Sequence, residues 1–220
     1  MLVCMSGWAQ IRTMSVLGDS YSTFEGFITP RTNLSWYSAK PDSTMTDVTD
    51  ARQTWWYNLA IAMGWKIDTN NSYSGSTICN TGYRREDYSD RSFITRMDNL
   101  GSPDIIFIFG GTNDSWAHSP IGEYKYADFT AADLYNFRPA MAHMLDYMTA
   151  RYPFVEKIFL LNDGLSADIT TSIKTICKHY GVPCLPLKDI DKRAGHPTVE
   201  GHSQIAEQVS DILKPLLSEQ

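Results

Sequence analysis

Short apolar runs alternate with amphipathic stretches along most of the chain. Residues 14–17, 66–69, 105–109, 157–161 and 182–187 read as five strands. Between and after them, residues 55–63, 90–99, 134–152, 166–180 and 198–217 read as helices. The run Ile105-Ile106-Phe107-Ile108-Phe109 has no polar member, as expected of a strand covered on both faces. Trp55, Trp56, Leu59 and Met63 recur at helical spacing, with Thr54 as a start signal and Gly64 as a stop. Pro183 and Pro186 put the run 182–187 at a sheet edge. This alternation predicts an α/β chain with a central, mainly parallel five-stranded sheet. Ligands of such sheets bind beyond the carboxyl ends of the strands.

Three polar motifs fall at element ends. Gly18-Asp19-Ser20 closes the first strand, Gly111-Thr112-Asn113-Asp114 follows the 105–109 strand, and Gly195-His196-Pro197 precedes the last helix. A serine hydroxyl needs a base to become a nucleophile. Of the five histidines, His143 and His179 fall inside helices and His202 lies two turns into the last one. His118, near the asparagine motif, is the competitor to His196. His196 is preferred because a turn before a terminal helix can reach back over the sheet rim. An acyl transition state also needs donors for its oxyanion. The Asn113 amide, the Ser20 N–H and the N–H of Gly75, just beyond the second strand, are the candidates. Asp114 reads as a structural cap. Serine, asparagine and histidine in this order point to acyl transfer through a serine ester.

These motifs make the chain resemble the SGNH hydrolases of the GDSL esterase/lipase superfamily. The four blocks correspond to Gly18-Asp19-Ser20, the Gly75 segment, Gly111-Thr112-Asn113-Asp114 and His196. The resemblance implies a flavodoxin-like three-layer α/β/α fold, Ser20 as nucleophile and His196 as base. It implies an oxyanion hole of Ser20, Gly75 and Asn113, and no cofactor or metal. The G-x-S-x-G elbow of the larger α/β-hydrolase family is absent. One position departs from the pattern. The family places an aspartate three residues before the histidine, and here that residue is Arg193. Three readings stay open. A backbone carbonyl holds the ring, giving a Ser–His dyad; Asp191 or Asp189 orients it from a shifted turn; or catalysis is weak or absent.

Composition narrows the partners. The 220 residues carry a net charge of −6 with no clustered basic face, which argues against nucleic acid. No run is long enough to span a bilayer. Residues 1–10 are apolar and uncharged, like the back half of a secretory signal, against a native start. On that ground a secreted or periplasmic location is expected over a cytoplasmic one, with one hydrolase domain over residues 11–220. Cys4, Cys79, Cys177 and Cys184 match no zinc spacing, and a Cys177–Cys184 bridge and free thiols both stay open. Arg84-Arg85 reads as a solvated loop.

The segment 21–53 is long for a connection, as functional loops are, and holds Trp36 and Tyr37. Asp19, Tyr21, Tyr73 and Trp116 flank the proposed site and are candidates for substrate contact. Aromatic faces with polar edges suit partly polar ligands. The expected substrate is therefore a small acyl ester, such as acetyl, on a carbohydrate or other small molecule. A lysophospholipase or thioesterase, or a catalytically weak carbohydrate-binding relative, is the alternative.

Overall fold

The computed structural model describes residues 11–218. The signal-like stretch 1–10 and Cys4 lie outside them. Strand β1 (Thr13–Gly18) leads through the long loop to helix α1 (Trp55–Met63) and β2 (Lys66–Ser72). A one-turn α2 (Phe93–Arg96), β3 (Ile105–Phe109) and a short α3 (Thr112–Trp116) follow. Then come α4 (Phe137–Arg151), β4 (Glu156–Leu161), α5 (Ala167–Tyr180) and β5 (Cys184–Pro186). A small hairpin, β6 (Lys192–Arg193) and β7 (His196–Pro197), precedes α6 (Val199–Ser218).

The five main strands form one sheet in the order β2-β1-β3-β4-β5, every neighbouring pair parallel. Each strand twists into a sheet with two buried faces, so alternate side chains of β3 serve different cores. Ile106 and Ile108 pack with Phe93, Phe137, Met141 and Phe159 on the side of α2, α4 and α5. Ile105, Phe107 and Phe109 pack with Trp55, Ile205 and Val209 on the side of α1 and α6. The result is the expected α/β architecture of a helix-covered parallel sheet. Its order reverses between β1 and β3, and that crevice is where a doubly wound sheet receives its ligand.

The elements differ from expectation where polarity hides them. β2 runs three residues beyond 66–69, through Asn70, Asn71 and Ser72, all buried. Their side chains are bonded: Asn70 donates to the Ser22 carbonyl at 2.9 Å, and Ser72 donates to Asn70 at 2.6 Å. The expected helix 90–99 contracts to α2, and α4 begins only at Phe137 because Asn136 is extended. β5 is the edge strand, shortened by its prolines to Cys184–Pro186. Gly64 stops α1 in the left-handed conformation as expected. Thr54 does not cap that helix through its side chain; its hydroxyl donates to the Ala51 carbonyl instead. The Trp55 N–H goes to His202 Nδ1 at 3.1 Å, which ties α1 to α6. Cys177 and Cys184 are both thiols.

Candidate active site

β1 delivers Ser20 through a tight turn. A side chain at Gly18 would sit 2.6 Å from Ser22 and Ser72, so only glycine lets the strand end there. Asp19 accepts the Tyr21 N–H at 3.0 Å and starts a single 3-10 turn, Ser20–Ser22. Ser20 is therefore held by backbone geometry and is 2% exposed.

His196 arrives from the hairpin. Its two linking residues, Ala194 and Gly195, both have positive φ (48° and 77°), the geometry of a type I′ turn. Trp116 lies 3.1 Å from where a side chain at Gly195 would begin, a second reason for glycine. His196 Nε2 lies 3.0 Å from Ser20 Oγ, and Nδ1 lies 3.0 Å from the Ala194 carbonyl oxygen. A carbonyl can only accept. Nδ1 therefore carries the proton, and Nε2 is left as an acceptor for the serine hydroxyl. Burial lowers the His196 pKa, against the opposing pull of the Ala194 carbonyl, so the ring is neutral at neutral pH.

Neither candidate acid reaches the ring. The Asp191 carboxylate accepts the Thr198 hydroxyl, while Thr198 accepts the Gly201 N–H at the start of α6. Asp189 is exposed at positive φ. Arg193 points outward and donates to the Ser43 carbonyl at 3.2 Å. The expectation of Asp191 or Asp189 as ring-orienting acid is thus corrected. The two-residue turn brings the Ala194 carbonyl to Nδ1, which takes up the position an acid would bond. His118, the other candidate base, is exposed on the surface.

Asn113 sits at the start of α3, after Gly111 turns the chain with φ 92°. Its Nδ2 donates to the Ser76 carbonyl at 3.0 Å, and its Oδ1 accepts the Tyr83 hydroxyl at 2.8 Å. Tyr83 thereby decides which way the amide faces. Asp114 accepts the N–H groups of Ile78 and Cys79 at 2.8 and 3.2 Å, pinning the segment after Gly75 to α3. Burial raises its pKa to about 6. Gly75 has φ 82°, with open space where a side chain would project. Among the described residues, neither the Ser20 N–H nor the Gly75 N–H is spent on a backbone acceptor.

Two buried charged groups lie behind these donors. Arg96 donates to the carbonyls of Gly18 (3.0 Å), Arg91 (2.8 Å) and Asn71 and to Ser76 Oγ (2.8 Å). It ties the ends of β1 and β2 to the segment after Gly75. Burial lowers its pKa to about 9. Asp19 is fully buried, with no hydrogen-bond partner for Oδ2 among the described residues, and burial raises its pKa to about 7. Arg96 and Tyr83 were not foreseen, since nothing in their local sequence marks them.

Aromatic rings enclose His196. Trp36 stacks on it, centroids 3.6 Å apart and planes 7° apart. Tyr21 and Trp116 approach at steep angles, 5.4 and 5.9 Å away. Tyr21 and Tyr37 donate to the Gly195 and Pro197 carbonyls at 2.6 and 2.8 Å, locking the hairpin to the Ser20 side. Trp116 is 41% exposed. Tyr73 stands farther out, with Trp36, Arg31 and Asn33 around a cavity of about 500 Å³. Arg84 and Arg85 are exposed.

Residues 12–213 match the model of the family described as GDSL-like lipase/acylhydrolase. No curated protein matches the chain. Two solved structures, both candidate GDSL-like lipases, are similar over nearly their full length. That of Bacteroides ovatus is 55% identical with a TM-score of 0.91, covering 93% of this chain and 99% of its own. That of Bacteroides uniformis is 50% identical with a TM-score of 0.90, covering 93% and 96%. A family two carbohydrate esterase from Clostridium thermocellum, solved with cellohexaose, shares the fold at 13% identity (TM-score 0.64, covering 94% and 65%). With its motifs in register across almost the whole chain, this protein belongs to the GDSL-like lipase/acylhydrolase family and is an ester hydrolase.

Proposed function

We propose that the chain is a serine esterase that removes a small acyl group, acetyl, from a carbohydrate. The observation that carries the reading is the 3.0 Å contact of His196 Nε2 with Ser20 Oγ, across 176 residues of sequence. Ser20 Oγ attacks the ester carbonyl while Nε2 takes its proton. The oxyanion is received by the Ser20 and Gly75 N–H groups and the second hydrogen of Asn113 Nδ2. The imidazolium then protonates the leaving alkoxide, which departs as the sugar hydroxyl. Water, activated by the same nitrogen, hydrolyses the Ser20 ester and releases acetate. The Ala194 carbonyl serves as acceptor for Nδ1–H, so the machinery is a dyad.

The near-complete burial of Ser20 favours a small acyl group. Trp116, half-exposed beside the base, and Tyr73 at the outer cavity offer flat faces with polar edges, which suit a sugar better than an alkyl chain. The distant carbohydrate esterase, whose structure holds cellohexaose, agrees with that direction. The test uses a chromogenic acetate ester, acetylated oligosaccharides and lysolipids, with wild type and Ser20→Ala. Acetate release from the oligosaccharides, abolished in Ser20→Ala, is expected. Equal rates in both proteins reject Ser20 as nucleophile; preference for lysolipids rejects the carbohydrate.

A further inference from the structure

We propose that Trp36 is a positioning residue for catalysis. Its indole face takes the place of the missing carboxylate in stabilising the charged His196 ring. The inference rests on the reading of His196 as base. During acylation the proton of Ser20 Oγ moves to Nε2, and the ring becomes a cation inside a pocket that leaves it only 6% exposed. In a triad an anion answers that charge. Here Nδ1 faces a neutral carbonyl, Asp191 is turned to Thr198, and position 193 holds an outward-pointing arginine. What does lie against the ring is the indole, parallel and at contact distance. Indole presents the strongest negative face of the aromatic side chains to a cation.

The stack is built in. The Trp36 N–H donates to Thr23 Oγ1 at 2.9 Å, and the Thr23 hydroxyl donates to the Ser20 carbonyl at 2.9 Å. The backbone that carries the indole is thus fastened to the same turn that carries Ser20. Its own Nε1–H is buried with no partner among the described residues. The ring face is what the site uses.

The other ionisable groups around His196 do not supply the missing anion. Tyr21 is kept protonated by burial. His202, behind the ring on α6, is kept neutral, its pKa lowered by burial to about 3. Lys192 on the hairpin is engaged by Asn162 and Asp163. Asp19, beside Ser20, has its pKa raised by burial to about 7, and its carboxyl is turned to the Tyr21 N–H rather than to the ring.

The experiment compares Trp36→Leu, which stays apolar and bulky without a π face, with Trp36→Phe. The His196 imidazole is titrated by NMR in the Ser20→Ala background, and kcat and KM are measured with Ser20 intact. A cation–π contact of the usual strength corresponds to a fall in kcat of about 3- to 30-fold in Trp36→Leu. KM should change less than about threefold, and Phe should fall between. The imidazole should titrate at lower pH in Leu than in wild type, because the cation has lost its support. Loss of burial alone would move it upward, so the sign separates stacking from shielding. An unmoved or raised titration, or an unchanged kcat, overturns the inference while an inactive Ser20→Ala still upholds the parent reading. An active Ser20→Ala overturns both. If Trp36→Leu does not fold, the Phe variant decides by the same titration and the same split of kcat from KM.

Discussion

Replacing Asp191 by Asn separates a dyad from a displaced triad. In the structure the carboxylate binds the Thr198 hydroxyl, and the Asp191 backbone binds Thr198 N–H (3.1 Å) and the Gln204 side chain (2.8 Å). These contacts all serve the entry to α6. None touches His196, whose Nδ1 is satisfied by Ala194. An asparagine carbonyl still accepts from Thr198, so what is lost is one charge-assisted bond and one acidic group near a helix N-terminus. That loss is worth about 1 kcal/mol at most for an exposed group. In a chain of this size it lowers Tm by about 2–4 °C. Turnover of a chromogenic acetate ester should fall less than about threefold, since no reacting group moves. Removing a true ring-orienting aspartate lowers kcat about 10⁴-fold, equivalent to roughly 5.5 kcal/mol. The two outcomes lie more than a thousandfold apart. A drop of a hundredfold or more, with an unchanged circular dichroism spectrum, refutes the dyad.

Tyr83→Phe removes the hydroxyl that fixes the Asn113 amide; kcat should fall about fivefold with KM nearly unchanged, as one hydrogen bond is worth about 1 kcal/mol. A rise in KM with kcat unchanged would assign Tyr83 to substrate binding instead. Arg96→Met strands four acceptors, three of them buried, and should cost about 3–5 kcal/mol, read as a Tm lower by more than about 6 °C; a change under about 2 °C contradicts the bracing role. His202 carries a pH signature. Its folded pKa, about 3, lies below the ordinary histidine value of 6.5, so the unfolded chain binds more protons between these pH values and stability is lost as pH falls through that window. Asp19 and Asp114 act in the opposite sense. Their folded values of about 7 and about 6 exceed the ordinary 3.8, so the folded state gains relative stability on acidification from neutrality. His202→Gln should therefore be less stable than wild type near pH 7 and close that gap toward about pH 4 in thermal melts; a gap independent of pH excludes His202 as the source.

The main sheet was legible because its strands are apolar runs bounded by glycine and proline, and 105–109 could be little else. The end of β2 was not, since Asn70, Asn71 and Ser72 are buried by virtue of hydrogen bonds that no hydropathy pattern carries. The two-residue strands of the hairpin are too short to show a period. Ser20, Asn113 and His196 could be nominated because each lies within two residues of a glycine at an element end. Arg96 and Tyr83 could not, because their importance comes from what other segments bring to them. Trp36 was visible only as one aromatic residue in a long loop; its register against the imidazole is a property of three dimensions. The partner of Nδ1 was unreadable for a simpler reason: a backbone carbonyl has no letter.

The hairpin that presents His196 also supplies the acceptor beneath it, so orientation of the imidazole is settled within a few consecutive residues. An enzyme built this way has no need to keep a distant acid in register with its histidine through every shift of helix or loop. Residue 193 is thereby released from catalytic duty, and its arginine is free to clasp the long loop that brings the indole into place.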